Sequence, residues 1–89
     1  MPESAEGRAR VRVLGPGCRR CETLYERVST VVEEMGRADI TAEHVRDPDE
    51  ILNYGPILTP ALVIDDLLVL SGRVPTESAL RELLSKHLG

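Results

Sequence analysis

Along ARVRVLG (9–15) the apolar Val11 and Val13 alternate with Arg10 and Arg12. A period of two predicts a strand, and Gly15-Pro16-Gly17 stops it. From Cys18 to Met35 the apolar positions are Cys21, Leu24, Tyr25, Val28, Val31, Val32 and Met35. Steps of three and four place them on one stripe of a helix, which Gly36 ends. DITAEHV (39–45) predicts a second strand with Ile40, Ala42 and Val45 facing inward. DPDEILNYG (47–55) predicts a short helix with Asp47 as N-cap, Pro48 at its first position, Asp49 and Glu50 in its first turn, and Gly55 as its stop. PALVIDD (60–66) and LLVLSG (67–72) read as a strand pair joined by a tight, solvated turn at Asp65-Asp66. Pro75 and Thr76 open a last helix that buries Leu80, Leu83, Leu84 and Leu88.

The order is therefore β-α-β-α-β-β-α, an α/β pattern. A strand–helix–strand start favours a parallel pair with a right-handed crossover, and the closing strand pair is antiparallel. Together they predict a small four-stranded mixed sheet with helices on both faces. Residues 9–89 are expected to form one domain, and residues 1–8 a flexible N-terminal tail.

Composition narrows the function. With no Trp and no Phe among 89 residues, Val, Leu and Ile must fill the core. The net charge of −4 and the lack of a basic face argue against a nucleic-acid partner. No apolar run approaches the ~18 residues of a membrane span. The start, MPESAEGRAR, contains no apolar stretch that would serve as a secretory signal. A soluble, cytoplasmic monomer is the expectation, and in a reducing compartment a purely structural disulfide is disfavoured.

The chemistry sits in LGPGCRRCETL (14–24), which holds both cysteines of the chain, Cys18 and Cys21. Cys18 follows a strand and a Gly-Pro-Gly turn and opens a helix. Unpaired N–H groups and the positive end of the dipole there favour a thiolate. Cys21 lies one turn deeper, on the apolar stripe. Cys18 is thus expected to be exposed and nucleophilic, Cys21 shielded and resolving. Arg19 and Arg20 either stabilise the thiolate and make the couple more oxidising, or are ordinary surface residues. A second feature is LTPALVI (58–64), where Pro60 immediately precedes a buried strand, a costly place for proline within a sheet.

These residues carry a resemblance. Residues 9–89 resemble the thioredoxin-fold family in its compact, glutaredoxin-sized form, and most nearly its small bacterial and archaeal redox-active disulfide proteins. The shared features are Gly15, Gly17, Cys18 and Cys21, then Tyr54, Gly55, Thr59, Pro60, Ala61, Leu62 and Val63. The resemblance implies a thiol–disulfide oxidoreductase, an electron carrier whose only redox group is the Cys18–Cys21 dithiol/disulfide. It implies Cys18 as nucleophile, Cys21 as resolving thiol and Pro60 as a cis-proline facing them. Thr59 would then pair with a substrate strand, and Gly72 would let a partner approach. Protein disulfides and an upstream disulfide reductase are the implied partners.

The departures inform as well. Thioredoxin has a Trp before its first cysteine and Gly-Pro between the two, where this chain has Gly17 and Arg19-Arg20. Its buried acid has no counterpart in the first strand. SGRVPTE (71–77) replaces the Gly-Gly and acidic helix start with which glutaredoxins hold glutathione, so glutathione is not the expected partner. A Cu(I) carrier would use the same two thiolates. Small copper chaperones, however, carry Met where this chain has Pro16, and run straight from helix to two consecutive strands. A zinc site wants four ligands, and only His44 and His87 are available to join the cysteines; both are expected to face water. No metal is therefore assigned. A non-catalytic module that binds a partner strand at Thr59–Pro60 is the third class. Tyr25 and Tyr54 are read as packing residues.

Overall fold

The computed structural model describes residues 9–17, 19–36 and 39–88; the expected tail (residues 1–8) and Cys18 lie outside them. Its elements are β1 (Ala9–Leu14), α1 (Arg19–Met35), β2 (Ile40–Val45), α2 (Pro48–Leu52), β3 (Ala61–Ile64), β4 (Leu67–Ser71) and α3 (Glu77–Leu88), the order the hydrophobic pattern predicts. The sheet runs β2-β1-β3-β4. β1 and β2 are parallel, while β1–β3 and β3–β4 are antiparallel.

Strand alternation sends two sets of side chains to two faces. Ala9, Val11 and Val13 of β1, Ile40 of β2, and Leu62 and Ile64 of β3 meet Leu24, Val28 and Val31 of α1 and Leu80 and Leu84 of α3. On the opposite face Leu14, Val45, Ala61 and Val63 pack against Ile51 of α2, with Tyr54 and Ile57 beside them. Helices thus cover both faces, as expected. Val45 is a correction in detail: it is buried, but on the face opposite Ile40, because five residues along a strand reverses the side.

Local chemistry sets the element ends. The Asp47 carboxylate accepts the Asp49 N–H at 2.9 Å and caps α2. Thr76 Oγ1 accepts the Ala79 N–H at 3.2 Å and caps α3. Asp65 and Asp66 have φ of 51° and 68°, the left-handed pair that a type I′ hairpin requires. Asp65 does more than face solvent. Its Oδ1 accepts the Arg10 N–H at 2.9 Å and its own N–H donates to the Arg10 carbonyl at 2.9 Å, tying the hairpin to β1. Arg20 and Arg27, seven residues apart on α1, donate to the carbonyls of Gly72 and Pro75 at 3.1 and 2.9 Å. They hold the β4–α3 connection against α1. No described helix is long and apolar enough to cross a membrane.

Candidate functional site

β1 continues one residue past its last strand position: the Gly15 N–H donates to the Val45 carbonyl at 2.9 Å. Gly15 faces the same side as Val11 and Val13, toward α1. The space a side chain would take there is filled by Cys21. A Cβ on Gly15 would overlap Cys21 Sγ and stand 2.7 Å from Cys21 Cβ. Gly17, with φ of 104°, makes the left-handed step that turns the chain from β1 toward α1. Cys21 is fully buried, at the head of the inner stripe Cys21, Leu24, Val28, Val31. Arg19 and Arg20 are both exposed.

Strand register brings the second motif to the same end of the sheet. Leu14 pairs with Ala61, and Ala61 with Ser71. One residue further along each strand, Gly15, Pro60 and Gly72 therefore stand side by side. The Gly72 N–H donates to the Pro60 carbonyl at 2.7 Å, which extends the β3–β4 ladder. Pro60 is buried and its peptide bond to Thr59 is cis. Gly72 has φ of 72°, and a Cβ there would fall 2.9 Å from Leu58 Cβ. Ser71 Oγ satisfies both backbone groups of Leu58, at 3.0 Å each, leaving the Leu58 side chain 71% exposed. Thr59 is half-buried and makes no hydrogen bond to another described residue.

His44 is where the structure departs most from expectation. It pairs with Val13 and shares its parity with Ile40 and Ala42, so its ring lies beneath α1 and not in water. The ring stacks on Tyr25, with centroids 5.2 Å apart and planes 23° from parallel. Both ring nitrogens are buried, and neither has a hydrogen-bond partner among the described residues. Burial lowers the His44 pKa first, and the nearby Arg46 charge lowers it further. Glu22 and the Gly15 backbone pull the other way, the latter without a hydrogen bond of ordinary geometry. Near the ring Arg46 pairs with Glu22 at 3.1 Å, linking the end of β2 to the first turn of α1. His87, by contrast, is exposed near the end of α3, as expected. The period-2 pattern of β2 carried the signal for His44, since position 44 follows 40 and 42 inward.

The opposite face holds a polar group. Arg12 donates to the Tyr54 hydroxyl at 2.8 Å and lies 3.5 Å from Glu43. The Tyr54 hydrogen bond, more than Glu43, raises the Arg12 pKa and keeps the guanidinium charged. Tyr54 packs, as expected, but its hydroxyl also has a partner. An open hollow there is lined by Arg12, Glu50, Asn53, Tyr54 and Asp66. Among the described residues no three His, Cys, Asp or Glu side chains are arranged to hold a metal ion.

Comparison with known proteins gives the same fold a family. The thioredoxin domain family profile matches residues 9–85. A protein named thioredoxin from Methanocaldococcus jannaschii is 35% identical over 78 residues, which cover 88% of this chain and 88% of the relative. Another of that name, from Methanothermobacter thermautotrophicus, is 30% identical over 76 residues, 85% of this chain and 97% of the relative. The chain belongs to the thioredoxin domain family.

Proposed function

We propose that this protein is a thiol–disulfide oxidoreductase working through Cys18 and Cys21. The observation that carries the reading is the seat of Cys21. It is a fully buried thiol pressed onto Gly15, at the sheet end where Pro60 and Gly72 also lie. α1 begins at Arg19, the residue after Cys18, so the backbone amides of a helix start are available to stabilise a Cys18 thiolate. That thiolate attacks a target disulfide, forming one S–S bond and releasing the first target thiolate. Cys21 then attacks the Cys18 sulfur, closing the Cys18–Cys21 disulfide and releasing the second. The target gains two electrons and the protein loses two.

The class of substrate is protein disulfides, and a disulfide reductase upstream returns the electrons. A target strand pairs with the backbone of Thr59 beside Pro60, and Gly72, lacking a side chain, keeps that approach open. Arg19, Arg20 and the Gly17 turn modulate the Cys18 thiolate. Arg20 already donates to the Gly72 carbonyl, so it also fixes the wall against which the target lies. The two relatives' shared name supports a redox role.

Insulin-disulfide reduction tests the reading. Cys18→Ser abolishes it, and Cys21→Ser accumulates a protein–target mixed disulfide visible on a non-reducing gel. Retained turnover by Cys18→Ser would overturn the mechanism. Redox titration of the dithiol, repeated with both arginines neutralised and with Cu(I) as a competitor, measures the tuning and tests metal carriage on the same sample.

A further inference from the structure

A resolving thiol must lose its proton to attack, and burial in apolar surroundings works against that loss. Cys21 is such a thiol, and the sheet beneath it presents Val11 and Val13 from β1. A titratable side chain lies on the same sheet face. Cys21 rests on Gly15, and on that same sheet face the next strand carries His44. Tyr25, one helical turn beyond Cys21 on α1, covers the His44 ring. A histidine kept only for packing would have its buried nitrogens hydrogen-bonded; both of these lack a partner among the described residues.

Resting on the redox reading above, we propose that His44 takes up the proton Cys21 releases when it resolves the mixed disulfide. The Cys21 S–H bond breaks and its proton passes to a ring nitrogen of His44, directly or through one water. The Cys21 sulfur bonds to Cys18, the bond between Cys18 and the target sulfur breaks, and the target leaves as a thiolate with that electron pair. In the reverse direction the imidazolium returns the proton as Cys21 is released. The charged and titratable groups around the ring are Glu22 and Tyr25 from α1 and Arg46 after β2; β1 contributes Val13 and Gly15. Burial and Arg46 keep the imidazole neutral, and therefore able to accept, at neutral pH.

The test separates the two sulfur steps in the full-length protein. An aromatic disulfide that releases a coloured thiolate, 5,5′-dithiobis(2-nitrobenzoate), gives one colour equivalent when Cys18 attacks and a second when Cys21 resolves. His44→Gln and His44→Phe are expected to leave the first phase unchanged and to slow the second by about 100-fold at pH 7, the lower end of the usual general-base range. In the wild type the second phase falls below an inflection that coincides with the His44 pKa measured by NMR on labelled histidine; in His44→Gln that inflection is gone. Equal slowing of both phases, or a second phase in His44→Gln that matches wild type from pH 5 to 9, overturns the proposal. If His44→Phe does not fold, the wild-type inflection and His44→Gln decide alone. A wild type that never releases the second equivalent instead overturns the redox reading on which the proposal rests.

Discussion

The two faces of the sheet are covered to different depths. Two helices press on one face, and its cluster spans β1, β2, β3, α1 and α3. The other face has the five-residue helix α2, five buried residues, and a hydrogen-bonded arginine where more apolar cover would otherwise be needed. The thick face buries Cys21, Gly15 and the two ring nitrogens of His44. The thin face carries Arg12, Glu43 and Tyr54: one terminal nitrogen of Arg12 donates to the Tyr54 hydroxyl, while its buried Nε has Glu43 at 3.5 Å and no hydrogen-bond partner among the described residues. A small domain has little apolar surface to distribute. Concentrating it on one side gives the cysteine end a dry, rigid wall and leaves the other side to polar contacts.

Truncation on each face tests that contrast most strongly. Leu80 is fully buried in the thick layer, whereas Ile51 on α2 stands at the rim of the thin one. Large-to-small changes of this kind cost about 2–5 kcal/mol, more where the surroundings cannot collapse. Urea denaturation should place Leu80→Ala near the upper end of that range and Ile51→Ala near the lower. Equal losses would erase the distinction between the faces. A smaller effect belongs to Tyr54→Phe, which removes the hydroxyl that receives Arg12. It should lower stability by about 1 kcal/mol in the same assay, and no loss would mean the thin face relies on packing alone. The smallest concerns the hairpin that borders the thin-face hollow. Asp66 sits in the left-handed region, which costs a non-glycine residue. Asp66→Gly should raise stability by roughly 0.5 kcal/mol, the backbone relief being partly offset by the looser unfolded chain. A thermal midpoint that falls instead would assign the Asp66 carboxylate a part in holding Arg12.

The thick face was the more legible in sequence. Cys21, Leu24, Val28 and Val31 repeat at helical spacing, and Val11 and Val13 at strand spacing, because burial against one neighbour leaves a periodic record. The Asp65-Asp66 turn was legible for a related reason, since few residue pairs accept two left-handed positions. His44 was misread because histidine's polarity outweighed its parity with Ile40 and Ala42. The Asp65–Arg10 and Arg12–Tyr54 contacts left no local trace: each joins residues far apart in the chain, and no periodicity within one element encodes a partner from another. Gly15 was visible only as part of a motif. That its missing side chain makes room for a sulfur is a fact of packing, not of spacing.

The place of β1 in the sheet bears on how the chain is made. It precedes the other described strands in the chain, yet it is central, and its second edge is closed only when Val11 meets Ile64. At about 5–20 residues per second, a ribosome needs roughly 3–10 s to travel from one to the other. In the later part of that interval, once β2 has been made, β1 is paired on one side only, and its other edge is open to any extended segment. The arginines at positions 10 and 12, which alternate with Val11 and Val13, keep that open edge charged while it waits.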